Sequence, residues 1–308
     1  MVEETLALYD VEWTLGPLKS VQLDIDIASP LGPRASGDFI DASRMQVDRT
    51  GDGLYATTDG GAAATGRFVD ATELWAISYP LQLVIEERWL DIEDILTIVL
   101  TTGWRRAGWT PLHAGAVVEA SARSAQQGRG VLVCAASGGG KTTFTVALVR
   151  DGWRALGDDK LLLRSDGPQP VVAAIKQMLN LDPAVAEWFP ELTGVSALPP
   201  YSTWTPKRRV SLRAEWPEAP AAAMAPTHLV SLVRQSGRGG IRVTPLRRAD
   251  ALDALLRQTV IPRDPAAARP LAASIASLAQ RVRSFRLELF DDAYVASGVL
   301  QDAMEAVT

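Results

Sequence analysis

The chain has 308 residues, 47% hydrophobic and 22% charged, enough for a sizeable core in one large domain or two modest ones. A formal net charge of −5 excludes the overall basic surface that draws a chain to nucleic acid or anionic lipid. The one cysteine, Cys134, excludes an internal disulfide, and no apolar run approaches the length that spans a bilayer. The first residues lack a basic segment followed by an apolar one, so the expectation is a cytoplasmic protein with no secretory leader, no nucleic-acid partner and no membrane partner. The abundance of Ala, Arg, Gly and Pro is the composition of a high-GC bacterial genome.

Residues 1 to 105 read as a small β-rich (α+β) domain. Residues 21–27 alternate apolar and polar, as a half-buried strand does. Turn signals follow at Pro30, Gly32-Pro33, Gly51-Asp52-Gly53 and Asp59-Gly60-Gly61, which predicts a small antiparallel sheet. A helix is predicted next, with Asp91 as N-cap, Ile92, Ile95, Leu96 and Val99 at helical spacing, and Gly103 as the stop.

Residues 106 to 308 read as an α/β domain. Strands are predicted over 112–119 and 130–134, separated by a polar hairpin loop over 121–129. A Gly-rich loop, a helix over 141–150 and a strand over 153–163 follow, in the order of an α/β core. Short helical stretches are predicted over 171–191 and loop over 192–226. Strands over 228–234 and 241–246 are read as joined by a hairpin turn at 236–240. Helices over 249–258, 271–281 and 291–304 complete the pattern. His228 opens an apolar strand and reads as structural. Trp104 and Trp109 read as packing anchors.

The loop Ala135-Ala136-Ser137-Gly138-Gly139-Gly140-Lys141-Thr142 fits the phosphate-loop pattern of Gly or Ala, four residues, then Gly-Lys-Ser/Thr. Each residue type has a physical task there. Gly138, Gly139 and Gly140 let the backbone curve and approach an anion without a Cβ in the way. The curved backbone and the start of the following helix direct N–H groups at phosphate oxygens. Lys141 supplies a charge to the β and γ phosphates, and Thr142 a hydroxyl to Mg²⁺. The expected ligand is ATP with Mg²⁺. Ser137, Gly138, Gly139, Gly140, Lys141, Thr142 and Thr143 form the candidate nucleotide-binding set. The basic run Pro206-Lys207-Arg208-Arg209 follows Trp204 and adds Lys207 and Arg209 as candidates to clamp a phosphate; Lys176 is a lesser one.

The acids Asp158-Asp159 come only one helix and a turn after Lys141, ahead of the apolar run Leu161-Leu162-Leu163. Upstream lies His113 in Leu112-His113-Ala114-Gly115. This order of His, hairpin, glycine loop, helix and double Asp resembles the HPr kinase/phosphorylase family and its stand-alone serine, peptide or small-molecule kinase relatives. Those share a fold with the nucleotide-binding part of phosphoenolpyruvate carboxykinases. The resemblance implies an ATP-dependent phosphotransferase acting on a hydroxyl of a peptide or protein, or of a small molecule. It implies Asp159 or Asp158 as general base, with Asp159 favoured, His113 as an assistant near the phosphates, and Asp158 with Thr142 as metal-directed oxygens. A non-catalytic nucleotide-binding module is the alternative. HPr kinases proper carry Glu where this chain has Thr143, and a signature motif that 171–183 lacks. The resemblance is therefore to the superfamily. The β-rich domain is expected to dock the acceptor, and a homo-oligomer is compatible with the sequence.

Overall fold

The computed structural model describes the strands within 23–80, and residues 97, 104–105, 108–120, 128–200, 205–290 and 297–306. All but residue 97 of the helix expected over 91–103, most of the hairpin loop expected over 121–129, Trp204 and the turns at Pro30, Gly32-Pro33 and Asp59-Gly60-Gly61 lie outside these residues. The chain is a mixed α/β protein with several sheets, and it divides into two compact units.

One unit holds six strands: β1 (Leu23–Ala28), β2 (Ile40–Ala42), β3 (Met45–Thr50), β4 (Gly53–Thr58), β5 (Ala63–Val69) and β6 (Leu74–Pro80). Their order is β1-β6-β5-β4-β3-β2. Strands β2 to β6 form an antiparallel meander, whereas β1 joins β6 in parallel. Trp109 is buried in this unit, and its N–H donates to Trp104 O at 2.8 Å.

The other unit is built on a central mixed sheet. After β7 (Thr110–Leu112) come β8 (Gly115–Val118), β9 (Gly130–Cys134), α1 (Lys141–Arg150), β10 (Arg154–Gly157), β11 (Leu161–Arg164), β12 (Val171–Ala174) and β13 (Met178–Leu181). Two 3₁₀ turns (Pro183–Glu187 and Pro190–Ala197), β14 (Arg208–Ser211), the single turn α2 (Leu212–Glu215), β15 (Ala223–Met224), β16 (His228–Gln235) and β17 (Ile241–Pro245) follow. The chain continues with α3 (Arg248–Leu256), α4 (Pro265–Arg281, of which residues 265–273 belong to the first unit), β18 (Arg283–Phe290) and α5 (Ser297–Ala306). The central order is β10-β8-β9-β16-β18-β17, in which β9, β16 and β18 are mutually parallel. Every residue of β9 is buried, the mark of a strand covered on both faces. Helix α1 packs over β8 and β10, and Phe144, Leu148, Val133, Phe285 and Leu287 are fully enclosed in the core around it.

Several expectations need correction. The single strand predicted over 112–119 is broken at His113-Ala114, and the one over 153–163 is broken at Asp158–Lys160. Both breaks put polar side chains where a continuous strand would bury them. Of residues 171–191, expected to hold short helical stretches, Pro183–Glu187 is a 3₁₀ turn, but β12 and β13 take the first part, since Val171-Val172-Ala173-Ala174 packs as a buried strand between β11 and β15. The segment 192–226, expected as loop, carries β14, α2 and β15. Residues 236–240 do not close a hairpin: β18 lies between β16 and β17 and bonds to both. That strand falls between the helices expected over 271–281 and 291–304, in residues given no element, although Phe285, Leu287 and Leu289 alternate with Arg286 and Glu288. Among the described residues no helix is long and apolar enough to cross a membrane.

Because Phe285 is fully buried on a strand paired along both edges, Phe285→Ala should lower unfolding free energy by about 3–5 kcal/mol. A urea titration followed by tryptophan fluorescence checks this; a loss well under 1 kcal/mol would mean β18 is not central.

Candidate functional site

The glycine loop 135–140 leaves the carboxyl end of β9 and runs into α1. In open α/β sheets this end of parallel strands is where ligands collect. Gly140 caps the helix at φ 93°, a left-handed conformation that side-chain-bearing residues adopt at a cost. The loop closes on itself through Gly139 N–H to Ala136 O at 2.9 Å. Ser137 and Gly138 are exposed at its crest, and Thr143 is exposed on the first turn of α1. Lys141 is buried, and its Nζ donates to Ala135 O at 2.9 Å, so the ammonium arches back over its own loop.

The double Asp is brought to the start of α1 by an irregularity in β10. The register between β10 and β8 shifts between Ala155 and Gly157. Such bulges re-aim the residues that follow. Gly157 has φ 143°, and a Cβ there would lie 2.8 Å from Lys176 O. Only glycine fits. Asp158 then turns inward, 3% exposed, and its Oδ2 accepts a short hydrogen bond from Thr142 Oγ1. The Asn180 backbone N–H also serves Asp158, while the buried Oδ1 has no hydrogen-bond partner. Burial, reinforced by the neighbouring Asp159 charge, pushes the Asp158 carboxyl up to about 6.

Asp159 points the other way, its side chain 31% exposed. His113 Nε2 lies 3.1 Å from its Oδ1, and Asn180 Nδ2 donates to its Oδ2 at 3.4 Å. Burial would raise this carboxyl, but Lys160, His113, Lys176 and Lys141 outweigh it and hold Asp159 below the ordinary range. Desolvation lowers His113 despite Asp159, and Lys141, Lys160 and Lys207 lower it further. Desolvation likewise lowers Lys141, against the pull of Asp159, Cys134 and Asp158. Four lysines thus act on two aspartates, an excess of positive charge.

Of the candidates named from the sequence, His113, Lys141, Thr142, Asp158, Asp159, Lys176 and Lys207 fall within one electrostatic neighbourhood. Arg209 sits on β14 opposite Asn180. Cys134 is buried and pushed up to about 12 by desolvation, an inert thiol. Three contributors were missed. Asn180 braces both aspartates but lies in a segment expected to hold short helical stretches, where its pairing across β13 and β14 was invisible. Lys160 was passed over as part of the Asp motif. Gln258 closes α3: its backbone O accepts from His113 N–H at 2.7 Å, and its side-chain amide, turned to suit its surroundings, donates to His113 O at 2.6 Å. It links two segments 145 positions apart in sequence, a tie with no local signal. Beside the loop lies a cleft of about 420 Å³, lined by Ser137, Leu232, Arg234, Arg257 and Arg286 among others.

No protein-family model matches the sequence, and no curated protein matches it. Among solved structures, the chain is similar to the Hpr(Ser) kinase/phosphatase from Coxiella burnetii, with 10% sequence identity and a TM-score of 0.33. The match covers 64% of this chain and 94% of that one. At that TM-score the likeness carries no weight by itself.

The Asp158 environment has a measurable consequence. Folding raises its carboxyl from 3.8 to about 6, so between those values the folded chain keeps a proton that the unfolded chain has released. Stability from this group is therefore greatest below about pH 4 and falls as pH rises through about 6. In chelator-treated buffer at about pH 8, Asp158→Asn should be more stable than the parent by on the order of 1–3 kcal/mol, and the gain should vanish near pH 4. Thermal unfolding across pH checks this; a constant or opposite difference would contradict it.

Proposed function

We propose that the chain is an ATP-dependent kinase that transfers the γ-phosphate to a hydroxyl of a peptide or protein. The observation that carries this reading is the meeting of Thr142 and Asp158. That contact joins the first turn of the loop's helix to a pair of carboxylates, one enclosed and one facing outward. A loop with Lys141 and helix N–H groups at its rim binds phosphates. An outward carboxylate next to it supplies what a bare nucleotide binder has no use for, a proton acceptor.

The residues divide the work as follows. The loop amides of Gly138 to Thr142 hold phosphate oxygens, and Lys141 exchanges the Ala135 carbonyl for them. The cleft lined by Arg234, Arg257 and Arg286 takes the nucleoside side of the ligand. Thr142 Oγ1 and Asp158 are hard oxygen donors that fit Mg²⁺, and the unpartnered Asp158 Oδ1 is the atom such an ion would satisfy. Mg²⁺, when bound, supplies charge neutralisation at the β and γ phosphates. Asp159 accepts the hydrogen bond of the acceptor hydroxyl and takes its proton. Because the lysines and His113 hold it ionised, it is a weak base, suited to late proton transfer in a loose phosphoryl transition state. His113 and Asn180 orient its two oxygens. Lys207 adds charge opposite the transferring group. The same machinery would serve a small-molecule hydroxyl.

In calorimetry, the parent should bind Mg²⁺-ATP, and Lys141→Ala should lose most of that affinity. Asp159→Asn should bind ATP within a few-fold of the parent, yet release ADP with acceptor roughly 10²–10⁴ times more slowly. Equal binding with no turnover by either protein would favour the non-catalytic module. No binding by the parent would refute the phosphate-loop reading.

A further inference from the structure

We infer that a cleft at the opposite end of the central sheet is a second binding site, for a small molecule bearing phosphate or carboxylate groups. The cleft measures about 550 Å³, and Arg129, Thr227, His228, Arg281, Arg283 and Glu305 are among its lining residues. It opens at the leading ends of the three parallel strands. Gly130 begins β9, His228 begins β16 and Arg283 begins β18, with His228 in register with both Val131 and Arg283. The glycine loop leaves the far end of β9. At about 3.3 Å per residue, that five-residue strand separates the two places by roughly 15 Å. The cleft is therefore independent of the proposed nucleotide site.

Its charge is unusual for this chain. Three arginines line it against the single acid Glu305, in a protein whose net charge is −5. Arg129 is matched by Glu119 through two hydrogen bonds, at 2.8 and 3.1 Å. Arg281 instead donates to the carbonyls of Gly167 and Pro168, at 3.0 and 3.2 Å. Carbonyls fix a guanidinium in place without neutralising it. Arg283 adds a third guanidinium, close enough with Arg129 to act on the His228 ring.

His228 gives the second, separate reason. It is 6% exposed, and its Nδ1 lies 2.8 Å from Thr227 Oγ1, which in turn accepts from Gly130 N–H at 3.2 Å. The buried Nε2 has no hydrogen-bond partner among the described residues. Leaving such a group unpaired costs on the order of 1–3 kcal/mol, so a partner from a ligand would be favourable. Burial, with Arg283 and Arg129 nearby, holds the ring's pKa down to about 4, hence neutral at pH 7. The Thr227 hydroxyl donates to Gly130 O at 3.1 Å, so Nδ1 carries the ring N–H toward Thr227 Oγ1 and Nε2 is left as an acceptor for a ligand O–H or N–H. Guanidiniums that line the cleft would take a ligand's anionic oxygens, and Nε2 its hydroxyl.

The chain has two histidines, His228 in this cleft and His113 beside Asp159, so imidazole resonances report each place separately. Full-length protein labelled at histidine would be titrated with inorganic phosphate and, separately, with tricarballylate. We expect a saturable shift of the His228 resonances with at least one probe; which probe acts distinguishes phosphate from carboxylate recognition. Replacing the exposed Arg281→Gln and Arg283→Gln together should weaken that response roughly tenfold and leave the His113 response and the circular dichroism unchanged. A His228 resonance unmoved by either probe overturns the proposal. So does a shift that the arginine replacements leave equally strong.

Discussion

A buried carboxylate is costly to fold unless something around it compensates, and here one stands beside a second, half-exposed acid. Asp158 is enclosed against Asp159, and its ionised form is disfavoured. The surrounding elements answer that cost. Thr142 brings the helix start to Asp158, Asn180 reaches both acids from a two-stranded ribbon, and lysines arrive from four separate segments. The Gly157 backbone, squeezed against Lys176 O, is what allows the acids to face in opposite directions. The site is thus held by compensation of charge as much as by shape. Replacing any one partner shifts the burden to the rest.

How much of this could be read from the sequence follows from how local each signal is. The glycine loop, strand β9 and helix α1 are contiguous, and the periodicity of their apolar residues stated them. The resemblance in order and spacing put His113 near the phosphates without naming its partner, and the geometry places His113 Nε2 at Asp159 Oδ1. The failures share one cause. Strand β18 was missed because a helix flanks it on each side and its alternation was passed over. The hairpin expected at 236–240 failed because the true neighbour of both strands comes some 50 residues later. Asn180 and Gln258 act through tertiary contacts, and no spacing along the chain announces those.

The two ends of the parallel strands β9, β16 and β18 differ in how they treat charge. At the carboxyl ends, acids and lysines are interleaved closely enough to change one another's protonation. At the leading ends, arginines predominate and a neutral ring lies beneath them. The two ends of one sheet therefore carry different arrangements of charge, separated by a buried stretch of valines and leucines.

The order of the central sheet also bears on how the molecule comes into being. Strand β9, which carries the glycine loop, pairs in parallel with β16, and Val131 meets a residue almost 100 positions further on. Strand β16 in turn waits for β18. During synthesis, the loop and its helix emerge well before the strands that complete the sheet beneath them. Until then β9 has β8 on one edge and an open, apolar edge on the other, the kind of surface that invites wrong partners. A topology so rich in distant pairings should fold slowly. Cells making this chain would have reason to shield that edge while the ribosome finishes.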